Sequence, residues 1–240
     1  MTQRTGPTSD TSKDVVYTCL AHHRRRRLLV LLEDSSSPVS PADLATRLVA
    51  DESDSDRSVE DVSEDDATSV LVELQHTHLP TLDDAGFVDW DRDADTVALA
   101  DRTLLEDPVV APQLASLEES RDRLLSALAD RRRRLALSLA SRSSTSITRE
   151  ELAAAMVARE RAMGLGNGRK NKHEAVDALE TKLYHQHLPK LENAGLVAYD
   201  HDGETITYVG HPDVEAEWFD HTVDDPQCPV LEIAPPQAKL

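Results

Sequence analysis

One sixteen-residue sentence is written twice in this chain, and it limits the possible folds more than any other feature. The first copy runs His76-Thr77-His78-Leu79-Pro80-Thr81-Leu82-Asp83-Asp84-Ala85-Gly86-Phe87-Val88-Asp89-Trp90-Asp91. The second runs His185-Gln186-His187-Leu188-Pro189-Lys190-Leu191-Glu192-Asn193-Ala194-Gly195-Leu196-Val197-Ala198-Tyr199-Asp200, 109 residues later. Leu79 and Leu82, like Leu188 and Leu191, stand three apart, as one helical face requires. Gly86 and Gly195 fall where a helix ends in positive φ. Beyond each glycine the apolar pattern changes to period two, the mark of a strand. Helix, glycine stop and strand are therefore encoded in duplicate. The expected core includes Leu79, Leu82, Ala85, Leu188, Leu191 and Ala194.

A second segment repeats as well. Leu20-Ala21 followed by His22, His23 and Arg24 to Arg27 aligns with Leu128-Ala129-Asp130 and Arg131 to Arg134 at an offset of 108. The repeat decides for two domains of about 85 residues in a chain of 240. The expected boundaries are a disordered 1–13, a first domain 14–100, a helical connector 101–123, a second domain 124–211, and a short helix with a loose tail over 212–240.

The helix-Gly-strand wording resembles the end of the recognition helix and the start of the wing in winged helix-turn-helix proteins. The His-Leu-x-x-Leu-x-x-Ala-Gly-(apolar)-Val skeleton and the Leu-Ala-Asp opening are similar to the arsenical-repressor-like family. The doubled, proline-containing form looks like haloarchaeal tandem winged-helix proteins of unknown function. The resemblance covers roughly residues 14–100 and 124–210. It implies a mostly α fold with small β-hairpin wings (α+β), two winged helix-turn-helix domains joined by a helical connector, and DNA as partner.

Taken in order, Ser12 is placed to cap a first helix, and Ser40-Pro41 to open another. Thr148 and Glu151 form a capping-box pair. A third helix spans about 67–85 and 174–194, interrupted by Pro80 and Pro189, each of which lacks a backbone donor. The hairpins pair Phe87 to Asp91 with Thr96 to Leu99, and Leu196 to Asp200 with Thr205 to Val209, the latter turning at Asp202-Gly203. Leu114, Leu117, Arg121, Leu124 and Leu128 suggest one long helix from connector into second module. A closing helix is expected around Trp218 and Phe219.

A helix-turn-helix turn normally has three or four residues. Here Asp51 to Asp66 and Ala158 to Lys172 intervene, the first acidic and the second basic. This departure weighs against ordinary groove docking.

Charge separates the modules. The chain carries 45 acidic residues against 26 Lys plus Arg, a net of −19, and only six of those bases are Lys. Acid excess with scarce lysine is similar to proteins of salt-loaded cytoplasms. Residues 14–100 hold 7 basic and 20 acidic residues, net −13, whereas 124–209 hold 13 and 11, net +2. A strongly acidic surface is a poor partner for a phosphate backbone. The candidate DNA contacts are therefore Arg169, Lys170, Lys172, Thr181, Lys182, His185, Gln186 and Lys190, within 158–205. The first module is left as a structural or protein-binding half, and the tandem can mimic a dimer within one chain.

The arginine runs wrap a full helical turn, so most of them are expected to pair internally. His185 and His187, two apart on a helix, point about 200° from one another and cannot grip one ion. His78 and His187 are read as packed or capping. No metal site, cofactor or catalytic constellation is expected, and Gly164-x-Gly166-x-Gly168 follows no strand as a nucleotide loop requires. The absence of any apolar run near ~20 residues points to a cytoplasmic chain without membrane spans.

Overall fold

In the computed structural model, residues 10–52, 62–107, 110–143, 145–165, 171–211 and 214 are described. They form two compact units, Met1–Ala129 and Asp130–Leu240, each with a mostly helical body and a small antiparallel sheet.

The first unit opens with α1 (Asp10–Leu20), which starts two residues ahead of Ser12. His22 then caps α2 (His23–Glu33), accepting from Arg24 N. Ser40 Oγ accepts from Asp43 N at 3.1 Å ahead of α3 (Pro41–Glu52), as its sequence position suggests. Helix three is α4 (Glu64–Glu73), a π turn over Leu74–His78, then α5 (Leu79–Asp84). Strands β1 (Val88–Asp91) and β2 (Thr96–Leu99) follow as a hairpin.

The expected long connector helix does not form. Instead α6 (Ala111–Leu114) and α7 (Ser120–Leu128) are separate. Between them the carbonyls of Ser116 and Glu118 accept from the Arg26 guanidinium at 3.0 and 2.7 Å. Those acceptors are turned toward a side chain from α2 across the break. Helix α7, which opens the second repeat, packs against α1 within the first unit.

The second unit runs α8 (Arg131–Arg142), β3 (Ile147–Thr148), α9 (Arg149–Ala162), α10 (Lys172–Lys182), a π turn over Leu183–His187, α11 (Leu188–Asn193), β4 (Val197–Asp200) and β5 (Thr205–Tyr208). Asp130 caps α8 through Arg133 N, and Thr148 with Glu151 closes the capping box on α9. Asn171 caps α10 through Glu174 N. Lys172 thus falls in the first turn of that helix.

Each element of the repeated sentence acquires a physical role. The π turn widens the helix just before Pro80 and Pro189, so that Leu79 N bonds Leu74 O and Leu188 N bonds Leu183 O. Pro enters at the start of the next segment, where a missing donor costs least. Helix three ends in a Schellman motif in both copies. Phe87 N bonds Leu82 O at 2.9 Å and Gly86 N bonds Asp83 O at 3.0 Å; the counterparts are Leu196 N to Leu191 O at 3.0 Å and Gly195 N to Glu192 O at 2.9 Å. Gly86 and Gly195 take φ of 78° and 72°. The closing aspartates begin the hairpin loops, Asp91 accepting from Asp93 N and Asp200 from Asp202 N.

Three details depart from the sequence reading. The left-handed residue of the second hairpin loop is Glu204, not Gly203, as Asp95 is in the first. Ala85 is only half-buried, whereas Leu79, Leu82, Leu188, Leu191 and Ala194 are buried, and nothing in the shared helix-end geometry explains the difference. A third strand position also emerges: β3 pairs with β5, and Val39 bridges Val97 in the first unit. One or two residues carry no alternation to detect. The closing helix placed around Trp218 and Phe219 and the tail lie outside the described residues.

Candidate nucleic-acid interface

The face in question is the outer side of α10, its π turn and α11, next to the β4–β5 hairpin. Val176, Leu179, Leu183, Leu188 and Leu191 turn inward. That leaves Lys172, Thr181, Lys182, His185, Gln186 and Lys190 exposed. Six of the eight candidate contacts therefore share one helix and face solvent. Arg169 and Lys170 lie outside the described residues. Thr181 spends its hydroxyl proton on Asp177 O at 3.0 Å, which leaves its oxygen as an acceptor.

Lys172, Lys182 and Lys190 form no hydrogen bond or ion pair among the described residues. The arginines behave differently. Arg24 meets Glu52 and Glu73, Arg25 donates to the carbonyls of Cys19 and Thr18, and Arg27 meets Asp51. Arg26 is fully buried, donating to Asp122 and to three carbonyls. In the second unit Arg132 pairs with Glu160 and Arg133 with Asp130. The runs are structural, as wrapping a whole turn implied.

Beside the helix lies a pocket of about 230 Å³ lined by Tyr184, His185, Leu188, Pro189, Glu192, Tyr199 and His201. Tyr199 and His201 meet edge to face at 4.6 Å, and Tyr184 meets His185 at 4.8 Å. Arg149, at the start of α9, donates to Tyr199 Oη at 2.7 Å and sits 5.1 Å over the Tyr184 ring. Glu180 and Glu204 neutralise it. Tyr199, His201 and Arg149 were not among the sequence candidates, since they come from the hairpin and another helix. The doubled motif does carry the one usable signal, an aromatic two residues after Val. In the first unit Arg92 lies 4.1 Å over Trp90 and pairs with Asp83, so that corner is covered by its own arginine.

The two histidines of each motif separate as their spacing requires. His76 and His185 are exposed, and His78 and His187 are buried. Burial pushes His187 below its ordinary value, with Arg133, Arg132 and Lys182 adding to the effect and Asp130 opposing it. Burial and the neighbouring His22 hold His78 down to about 4, with Glu73 opposing. The structure also brings His22 against His78, ring centroids 4.4 Å apart, a meeting of two segments that spacing within one motif does not reveal.

The family described as a domain of unknown function (DUF7344) matches residues 17–98 and again 125–207. No curated protein matches the chain, and no solved structure does. Among the described residues, no helix is long and apolar enough to cross a membrane.

Proposed function

The chain belongs to the DUF7344 family, whose domain it carries twice, and from that premise we propose a tandem winged helix-turn-helix regulator that meets DNA through its second module. The observation that carries the reading is the set of exposed, unpaired lysines along helix three, in a protein whose two arginine runs are engaged largely with its own carboxylates and carbonyls. Lys172, Lys182 and Lys190 supply phosphate neutralisation, and His185 and Gln186 between them supply groups able to read base edges. The order of helix pair, third helix and hairpin supports the winged-helix assignment, with helix three entering the major groove and the β4–β5 loop alongside the backbone. The acidic composition supports a salt-rich cytoplasm as its setting. There the short Debye length, about 3 Å at 1 M, keeps the first module's charge from repelling DNA.

A second reading, a protein-interaction adaptor, draws on the first unit. Its helix three exposes Glu64, Asp65 and Asp66 and carries no lysine or arginine. Fluorescence anisotropy of the full chain with duplex pools at several salt concentrations separates the two. Regulation through the second module requires binding at low salt, weakened across all sequences by K182A and K190A, with the salt slope falling by about one unit per lost contact. Absence of binding even at the lowest salt leaves the adaptor.

A further inference from the structure

The first unit holds a cluster of nitrogen and oxygen donors that the DNA reading does not use. His22 comes from the corner between α1 and α2, Glu73 from the end of α4, and His78 from the π turn that follows. One ring nitrogen from each histidine and one carboxylate oxygen lie within 4.8 Å of one another. We propose that these three side chains form a binding site for a late first-row divalent transition ion of the zinc type, independent of any contact with DNA.

Four observations carry this. First, His78 is fully buried, and its Nδ1 has no hydrogen-bond partner, while Nε2 stands 3.2 Å from Glu73 Oε1. A neutral ring carries one proton on its two buried nitrogens, so one of them holds a lone pair that an ion is able to use. Second, two imidazoles and one carboxylate match the borderline softness of zinc, cobalt and nickel, and three protein ligands leave a fourth position open. Two ligands about 2.1 Å from a tetrahedral ion are about 3.4 Å apart, and His78 Nε2 and Glu73 Oε1 already stand 3.2 Å from one another.

Third, an outer shell already exists. Arg24 holds Glu73 through Oε2, which leaves Oε1 toward His78 and fixes the carboxylate's orientation. His22 is held by weaker means, an Nδ1 contact from Arg24 N–H at 3.3 Å. That contact yields whichever nitrogen takes the ion. A ring bound at Nδ1 has no lone pair left there, and one bound at Nε2 carries its proton on Nδ1. Fourth, the second repeat has the same frame and different chemistry. The positions corresponding to His22, Glu73 and His78 are Asp130, Lys182 and His187. An ammonium replaces the carboxylate, and no donor cluster of this kind occurs there among the described residues.

An ion so placed ties the α1–α2 corner to the π turn of helix three, so the first unit gains stability when it is loaded. The test is calorimetric titration of the chelator-treated full chain with Zn²⁺, together with Co²⁺ absorption in the visible. The expected result is one equivalent bound, a Co²⁺ spectrum of low-coordinate intensity, and a rise in melting temperature. Affinity should fall at least tenfold in E73Q and in H78Q and stay unchanged in H187Q. Glu73 is partly exposed, so E73Q keeps the proposal falsifiable if H78Q does not fold. Weak binding of many equivalents, unaltered by E73Q, would mean ion condensation on the acidic surface and overturn the site. So would the absence of any Co²⁺ band.

Discussion

Arg26 Nη1 stands 2.6 Å from Asp122 Oδ1, joining the arginine run that follows α1 to the helix that opens the second repeat. The guanidinium is wholly buried, and three more of its protons go to the carbonyls of Leu20, Ser116 and Glu118. A buried cation this well surrounded depends on its one anionic partner, because removing that partner leaves a charge uncompensated. Asp122 is itself held below the usual carboxylate range by its bonds to His23 and Arg26, against the opposing effect of its burial. We expect Asp122→Ala to destabilise the first unit by about 3 kcal/mol, the lower end of the cost of breaking a buried pair. Urea denaturation followed by circular dichroism measures it. A loss of a few tenths would show that the three carbonyls suffice.

Gly195 offers a test free of packing effects. A Cβ added there meets nothing within 4 Å, yet φ is 72°. The cost of Gly195→Ala is therefore backbone strain, about 1–2 kcal/mol. Gly195→Asn should cost less, since asparagine tolerates the left-handed region. Equal losses in the two variants would point away from the Schellman geometry as the reason for the glycine.

The repeat and its glycine were legible because they are local. A three-residue leucine spacing, a capping box at Thr148 and a positive-φ stop depend on neighbours in sequence. Much of what was not legible is nonlocal. The break after Leu114 comes from Arg26 taking two carbonyls some 90 positions along the chain. The isolated bridge at Val39 exists because Val97 lies opposite it. The pocket around Tyr184 needs the hairpin's Tyr199 and His201, and the His22–His78 contact needs two segments to fold together. Lys182 and Lys190 were legible as exposed because they fall outside the leucine spacing of helix three.

His187 predicts how the second unit responds to acid. Burial first, then Arg133, Arg132 and Lys182, keep its folded pKa below the unfolded value of 6.5. Between those two values the unfolded chain binds more protons, so stability falls as pH drops through 6.5 toward the folded value. The contribution is fully present above 6.5, and every tenfold loss of proton affinity on folding corresponds to about 1.4 kcal/mol. His187→Gln should flatten the dependence of stability on pH between 8 and 5. Parallel slopes in variant and parent would show that the buried ring is not the group that titrates.

Salt should stabilise this protein, and the sign follows from comparing two opposed effects. Screening weakens ion pairs such as Arg24–Glu52, Arg27–Asp51 and Arg92–Asp83, each worth about 0–1 kcal/mol where exposed. It also relieves repulsion among 45 acidic residues that outnumber the 26 lysines and arginines. The excess of −19 cannot be paired away within the chain, so the repulsive part dominates at low ionic strength. Raising KCl from about 0.1 M to about 1 M shortens the Debye length from ~10 Å to ~3 Å and removes most of it. Melting temperature should climb by several degrees over that range. The climb should belong chiefly to the first repeat, net −13, and hardly to the second, net +2. Calorimetry at a series of KCl concentrations reads the total shift. Neutralising Glu64, Asp65 and Asp66 together, all exposed at the start of α4, should reduce it. A melting temperature indifferent to salt would remove the case for a salt-rich setting.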